Sequence, residues 1–404
     1  MSQPSAECSN VLLSWQTARS CVGHMNDQVQ KLLAGVSSDT FTSVARGVLG
    51  DTSAELTGKP EWQPVGGRHG DLQTVAVMKC SGRAYSGGIE KPWSAVFKHI
   101  DLSVETNFHS GWTDPLNEIA LYRDGEFVSS EVPFRAAKCY LIDEHDPQRF
   151  SVWLEDLSTA VGPPWSADQY EQASGYLGQF QGQLLAERTR LPYVDESNRF
   201  ENRWEGWNFD HTRNVLQEHR SHPDIERAFS GNRLDLMIEL IQSFPMLLKK
   251  VGQVERVLSH GDCHARNLFL TDEALVAIDW SGISYEPLGS DFGQLVGAGL
   301  SWGFEEMIVV AEAAPRLFDA YVQGLSAMGW DGDESTLRLG MAGQFIGYVI
   351  VCSSYPARVI DDPSFAAGIE GRSGIPRDEI SAATARFLDF AEPFIHEAIE
   401  LSDG

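Results

Sequence analysis

The stretch from Ser259 to Trp280, SHGDCHARNLFLTDEALVAIDW, constrains the chain more than any other. NLFL and ALVAID are short apolar runs around the polar turn TDE, a pattern that predicts an antiparallel hairpin. Setting Leu270 opposite Leu275 brings Asn267 level with Ile278, so Asp279 falls at the same open end as Asn267. The preceding loop delivers His260, Gly261 and Asp262 to that end as well. Two carboxylates and an amide are therefore expected at one rim.

Hard oxygen ligands of this kind suit Mg²⁺, which binds through one or two protein groups together with substrate phosphates. A phosphoryl-transfer centre needs a carboxylate that accepts or orients the attacking hydroxyl, and an Asn and an Asp that hold the metal. Asp262 and Asn267 have the Asp-x-x-x-x-Asn spacing of a kinase catalytic loop. A metal-dependent hydrolase is the competing reading, because His260, Asp262 and His264 would share one face of an extended segment. It lacks a further strong ligand: His396 is the only histidine downstream, and His219 and His222 lie in a charged, helix-like stretch. The triplet Asp291-Phe292-Gly293 resembles a kinase metal motif but lies 24 residues past Asn267, against 12 for Asp279. Hairpin geometry gives the metal role to Asp279 and leaves Asp291 to support the loop, to cap a helix or to touch substrate.

A phosphoryl-transfer reading makes demands on the chain before residue 157. There, WQPVGG, TVAVMKCSG and WSAVFKHI read as an antiparallel meander separated by glycine-rich turns. WSAVFKHI places Lys98 at the end of an apolar strand, and PLNEIALYRDG offers Glu118 on a helix as its partner. Gly66, Gly67 and Gly70 form a turn whose amides could approach a phosphate. RAAKCYLID and FSVWLEDL predict two more strands, the second leading through Glu155, Asp156 and Leu157 into STAVGPPWSADQ, which suits a hinge. Main-chain groups of those three residues are candidates, by position, for holding a base. Nearly everything beyond is helical, with the hairpin standing alone among helices. Upstream, residues 10–50 show helical spacing, with Ser38 or Asp39 capping a helix that Gly50 ends. The organisation expected is an N-terminal helical extension over 1–44, a nucleotide-binding lobe over 45–156 and a helical lobe over 157–404.

Composition narrows the partners. The chain of 404 residues carries 31 Lys+Arg against 57 Asp+Glu, a formal charge of −26, which argues against nucleic acid and anionic membrane. Cysteines at 8, 21, 80, 139, 263 and 352 are scattered, which predicts reduced thiols in a cytoplasmic enzyme and neither disulfides nor structural zinc. No secretory signal is visible near Met1, and FIGYVIVC is shorter than the roughly 20 residues a bilayer span needs, so it reads as a buried core helix. The chain is expected to be a monomer or homodimer.

HGDCHARN followed by AIDW resembles the aminoglycoside phosphotransferase and choline-kinase-like family. The likeness extends through AVFKHI, NEIALYR, VWLEDL, YLGQFQGQLL and YVQGLSAMGW, roughly residues 45 to 350. The resemblance implies an α+β, two-lobed, protein-kinase-like fold, with an N-terminal antiparallel sheet lobe carrying one helix and a larger, mainly helical C-terminal lobe. It implies ATP (or GTP) and Mg²⁺ as cofactors, and phosphorylation of a hydroxyl on a small molecule. By motif match Asp262 is the base, His260 its brace, Asn267 and Asp279 the metal ligands, and Lys98 and Glu118 the phosphate-holding pair. The glycine-rich turn departs from the family pattern. A nucleotide-binding module without turnover is the other alternative, against which Asp262, Asn267 and Asp279 are all present.

The fold does not name the acceptor. FENRWEGWNFD interleaves Glu201, Glu205 and Asp210 with Trp204 and Trp207, and reads either as aromatic faces and acids that receive a cation or as a loop joining two helices with its tryptophans in the core. Trp302, Tyr348 and Tyr355 are further candidates.

Overall fold

The computed structural model describes residues 27–65, 73–104, 113–125, 127, 131–195, 200, 203–204, 209–298, 304–373 and 375–403. Its strands in chain order are β1 (Glu55–Leu56), β2 (Glu61–Pro64), β3 (Thr74–Ser86), β4 (Ile89–Asp101), β5 (Phe134–Ala136), β6 (Cys139–Asp146), β7 (Arg149–Glu155), β8 (Arg256–Ser259), β9 (Leu268–Leu270), β10 (Leu275–Ala277) and β11 (Ser284–Pro287). The described residues fall into two compact units. One lies within Met1–Ser110, Glu118–Ser129 and Ala136–Ala160, the other within Gly111–Asn117, Ser130–Arg135 and Val161–Gly404.

The first unit is built on an antiparallel sheet of order β1-β3-β4-β7-β6, with β2 also paired to β3. β3 and β4 turn at Gly87 and Gly88, whose φ values of 59° and 78° match a two-residue hairpin turn that follows the strand twist. One sheet face gathers Trp62, Phe97 and Trp153, and the helix Ser38–Leu49 lays Phe41, Val44 and Ala45 onto it. Phe41 lies 6.0 Å from Trp153 in an edge-on contact, and Phe97 lies 5.0 Å from the same ring. Each large side chain buried here contributes about 1.5–3 kcal/mol. This helix shares the sheet's core and so crosses the boundary after residue 44 read from the sequence. Its cap is Ser37, whose hydroxyl accepts the Thr40 N–H at 3.0 Å, not Ser38 or Asp39. In the local run SSDT several neighbouring oxygens have equal capping chemistry, and the first one takes the role.

The second unit is mainly helical. Ala167–Glu187 begins at a capping box made by Ser166 and Gln169. It packs against Phe304–Ala327 backbone to backbone: a Cβ on Gly178 would sit 2.2 Å from the Tyr321 carbonyl oxygen, and one on Gly324 would sit 2.3 Å from that of Gly175. The short helix Ser290–Gly297 is buried along its whole length under Glu334–Ser353. The segment Glu334–Asp361 has the length and apolarity to span a bilayer, beyond what FIGYVIVC alone suggested, but 67% of its apolar window is buried within the structure, as in a core helix.

β9 and β10 pair with Leu275 against Leu270, the register read from the sequence. The hairpin does not stand alone, however. β5 adds to β10, and β8 pairs with β11 as a second ribbon. The four residues of β8 find their partner across the whole hairpin, a non-local pairing that period and turn signals do not report.

Candidate active site

β8 and β11 set Ser259 opposite Ser284, so the loop that leaves β8 and the loop that enters β11 meet at one place. Gly261 occupies the tightest point. Its φ is +74°, and a Cβ there would lie 1.9 Å from the Gly282 carbonyl oxygen, so only glycine fits.

His260 is wholly buried, with its ring 4.6 Å from that of Trp280. Nδ1 accepts the backbone N–H of Asp262 at 3.2 Å, and Nε2 donates to the Ile278 carbonyl at 2.9 Å. Burial lowers its pKa, so the ring is neutral, which this pair of contacts requires. Ile278 in turn donates its N–H to the Asn267 carbonyl at 2.9 Å. The imidazole thus ties the Asp262 loop to the end of β10, immediately before Asp279. With both ring nitrogens engaged, His260 is no metal ligand, and the three-residue array of the hydrolase reading does not form. Among the described residues no cluster of three or more His, Cys, Asp or Glu side chains is arranged to hold a metal.

The Asp262 side chain is about one-third exposed. Its Oδ2 accepts from Asn267 Nδ2 at 2.9 Å and lies 3.4 Å from His264 Nε2; Oδ1 accepts from Gln294 Nε2 at 3.0 Å. Burial opposes its charge, but His264, His260 and Arg203 outweigh that cost and hold the carboxyl well below its usual range. For His264, burial likewise opposes protonation and the Asp262 charge prevails, raising its pKa.

Asn267 donates through Nδ2 to both the backbone carbonyl and the carboxylate of Asp262, at 3.0 and 2.9 Å. That fixes the amide orientation and turns Oδ1 away from Asp262. Asp279 stands at φ 61° and ψ 65°, left-handed backbone uncommon for a residue other than Gly, Asn or Asp, and Ser281 donates to its Oδ1 at 3.1 Å. An amide oxygen turned away from Asp262 and a carboxylate on the neighbouring strand end are hard donors. They fit a magnesium ion that completes its shell with water and phosphate, and do not form an all-protein cage.

Behind the loop lies a buried polar network. Asp291 accepts the N–H of His260 and of Gly261, and Gln181 donates to it at 3.3 Å. Burial and the nearby Glu286 charge push its pKa up to about 7, against the N–H groups and Arg203, which favour the carboxylate. Arg203, 2% exposed, donates to the Gly261 carbonyl at 2.6 Å and to Glu286 Oε1 at 2.9 Å. Tyr321 donates to Gln181 Oε1.

The first unit carries the other expected pair. Lys98 on β4 donates to Glu118 Oε2 at 2.7 Å, with side-chain exposures of 11% and 1%. At the end of β7, Glu155 donates its N–H to the Lys138 carbonyl at 2.8 Å and accepts the Lys138 N–H on its side chain at 3.1 Å. Asp156 folds onto Lys79 at 2.7 Å and Ser94 at 2.6 Å, which holds its carboxyl down at about 2 although burial works the other way. Leu157 is buried, and its carbonyl accepts from Ala160.

Two residues weighed as substrate contacts take their alternative reading in the structure. Trp204 is 1% exposed and packs edge-on against Phe244 and Tyr348, so its indole is core and not an open face. Asp291 is fully buried and engaged by backbone N–H groups, which makes it a support of the loop. Tyr348 lies beside the site, its hydroxyl 3.2 Å from Gln294 Nε2, while Tyr355 packs on Phe365. Gly66, Gly67, Gly70, Glu201, Glu205, Trp207 and Trp302 lie outside the described residues. Arg203, Glu286, Gln181 and Gln294 were not singled out by the sequence, and no local pattern marks them.

The profile of a family described as the phosphotransferase enzyme family matches residues 131–335, just over half of the chain. No curated protein matches it. Among solved structures, a choline kinase from Cryptosporidium parvum Iowa II is similar at 11% identity, covering 90% of this chain and 98% of its own, with a TM-score of 0.52. An aminoglycoside phosphotransferase from Alicyclobacillus acidocaldarius is 13% identical over 80% of this chain and 91% of its own, with a TM-score of 0.49. An amicoumacin kinase in complex with AMP-PNP, Ca²⁺ and its antibiotic is 12% identical over 87% and 96%, with a TM-score of 0.48. At such identities the likeness is one of fold, and the choline kinase places the chain in the kinase-like α+β class.

Proposed function

The chain belongs to the phosphotransferase enzyme family and is a small-molecule kinase, and from that premise we propose that it moves the γ-phosphoryl group of Mg²⁺-ATP onto a hydroxyl of a small molecule. The observation that carries this reading is the bond of 2.9 Å between Asp262 and Asn267 at the mouth of the β9–β10 hairpin, with Asp279 at the end of the strand paired to it.

Asp262 holds the acceptor hydroxyl and receives its proton as the new O–P bond forms and the bond from the γ-phosphorus to the leaving oxygen breaks. Its depressed pKa makes it a weak base. That suits a loose transition state, where orienting the nucleophile matters more than early deprotonation. His260 keeps the backbone of Asp262 registered against β10, so the carboxylate and the two metal-ligand candidates keep their spacing. Asn267 and Asp279 would hold magnesium, which when bound neutralises charge on the phosphates. Lys98, oriented by Glu118, is the cation proposed to hold the phosphates of the nucleotide.

The test is nucleotide turnover over a panel of aminoglycosides, other antibiotics, amino alcohols, sugars and nucleosides, run with ATP and with GTP and with Mg²⁺ varied. The expected result is acceptor-dependent ADP formation that requires Mg²⁺ and falls at least about 10³-fold in Asp262→Asn, while the variant still binds nucleotide. Full turnover by Asp262→Asn removes that residue from the base role. Undiminished metal dependence in Asp279→Asn removes Asp279 from the metal site.

A further inference from the structure

The carboxylate of Asp262 has two oxygens and roughly four lone-pair positions, and their partners are unequal. Oδ2 faces two donors, Asn267 Nδ2 at 2.9 Å and the His264 ring at 3.4 Å. Oδ1 faces one, Gln294 Nε2 at 3.0 Å. Gln294 is 2% exposed and lies in the buried helix Ser290–Gly297. Its amide orientation is forced from both sides, because Oε1 accepts the Cys263 N–H at 2.9 Å and a carboxylate can only accept from the opposite end. The second amide hydrogen goes to the Tyr348 hydroxyl, 3.2 Å away on the helix Glu334–Ser353. Both the main chain just after Asp262 and its side chain are therefore held by one amide.

We propose that Gln294 is a positioning residue that makes Oδ1 of Asp262 the proton-accepting oxygen, with the Tyr348 hydroxyl bordering the position of the acceptor. The inference rests on the reading of Asp262 as the base. The acceptor hydroxyl donates to the lone pair left on Oδ1, since Oδ2 is saturated by Asn267 and His264. As its oxygen bonds to phosphorus, its proton passes to Oδ1. Gln294 stops the carboxylate from rotating, which would present Oδ1 and Oδ2 alternately to the acceptor. Nothing in the local sequence reports this, because Gln294 lies 32 residues from Asp262 and meets it only through the fold.

The experiment uses the full chain and takes water as the acceptor, following Mg²⁺-ATP hydrolysis, with binding of a fluorescent ADP analogue and thermal midpoint as controls. Gln294→Met keeps the volume and removes both polar ends. It is expected to lower kcat about 10²-fold, the cost of misplacing a catalytic group by about 1 Å, with KM for ATP within twofold of wild type. Gln294→His restores a ring N–H toward Oδ1 and should recover part of the loss. Tyr348→Phe, which leaves the bond to Asp262 in place, should lose less than Gln294→Met. Wild-type kcat in Gln294→Met overturns the proposal, as does a kcat loss matched by lost ADP-analogue binding and a lowered thermal midpoint. Crystals of Gln294→Met supply a readout independent of turnover: a rotated Asp262 carboxylate supports the role, and an unmoved one rejects it. Asp262→Asn separates the two levels. Should it hydrolyse ATP like wild type, the base assignment fails; should it be inactive while Gln294→Met is unaffected in rate and geometry, only this inference fails.

Discussion

Asp291 Oδ2 accepts the backbone N–H of His260 at 2.8 Å, and its other oxygen accepts that of Gly261 at 3.0 Å. A buried helix thereby fixes the start of the loop that carries Asp262, two residues before the carboxylate itself. Asp291→Ala strands two buried N–H groups, each costing about 1–3 kcal/mol. The thermal midpoint should fall by more than about 5 °C, given roughly 2–4 °C per kcal/mol for a unit of this size. Turnover should fall about 10²-fold through loss of loop geometry. Nucleotide binding that stays intact alongside full turnover in Asp291→Ala would show that the loop holds its shape without this anchor.

The contrast between Asp279 and Gln294 shows what the sequence made legible. Asp279 was placed by counting along two strands from a turn, and strands of period two with a short turn report their register locally. Lys98 followed from the same logic, one apolar strand ending in a charge. Gln294, Arg203 and Glu286 act on the loop from elements 32, 59 and 24 residues distant from Asp262. Their meeting depends on how helices and the β8–β11 ribbon pack, which no spacing encodes. The sequence left Trp204 open between a ligand face and the core, because an aromatic among acids has the same local pattern in either case. Tertiary burial decided it.

Lys98 and Glu118 form an ion pair that is almost fully removed from water. Removing one member of such a pair is expected to cost about 3–5 kcal/mol, because the other charge stays buried, whereas replacing both with apolar groups is close to neutral. Glu118→Leu should therefore lower the thermal midpoint strongly. Lys98→Met with Glu118→Leu should recover most of it. Activity should not follow stability: the double variant is expected to keep its fold and lose turnover about 10²-fold or more, with a raised KM for ATP. A double variant with wild-type kinetics would separate the pair from phosphate binding.

Gly178 and Gly324 let the helices Ala167–Glu187 and Phe304–Ala327 touch along their backbones. A methyl on Gly178 would collide with the Tyr321 carbonyl at 2.2 Å, and backbone cannot give way as a flexible side chain can. Gly178→Ala gains helix propensity worth about 1 kcal/mol, yet overpacking should dominate and cost about 1–3 kcal/mol or more. The expected outcome is a lower urea midpoint, the reverse of what propensity alone predicts. Tyr321 also donates to Gln181, which bonds Asp291. Some loss of turnover should accompany the loss of stability, and a stabilised, fully active Gly178→Ala would refute the packing argument.

His99 sits in β4 next to Lys98, 5% exposed, with its ring stacked 6.2 Å from that of Phe97. Nδ1 is 2.9 Å from the Ser151 hydroxyl, which also meets His145 Nε2 at 2.8 Å. Burial, with the charges of His145 and Arg149 adding to it and that of Asp101 opposing, pushes the His99 pKa down to about 4. An unfolded histidine titrates near about 6.5. Between those values the unfolded chain binds the proton and the folded one does not, so stability is complete above about pH 6.5 and declines as pH falls toward about 4. The loss across that window is on the order of 3 kcal/mol. Stability of the wild type should drop between pH 7 and pH 5, while His99→Phe, apolar and able to stack on Phe97, should drop markedly less. Urea midpoints at the two pH values give the comparison, and equal declines in both proteins would place the acid sensitivity elsewhere.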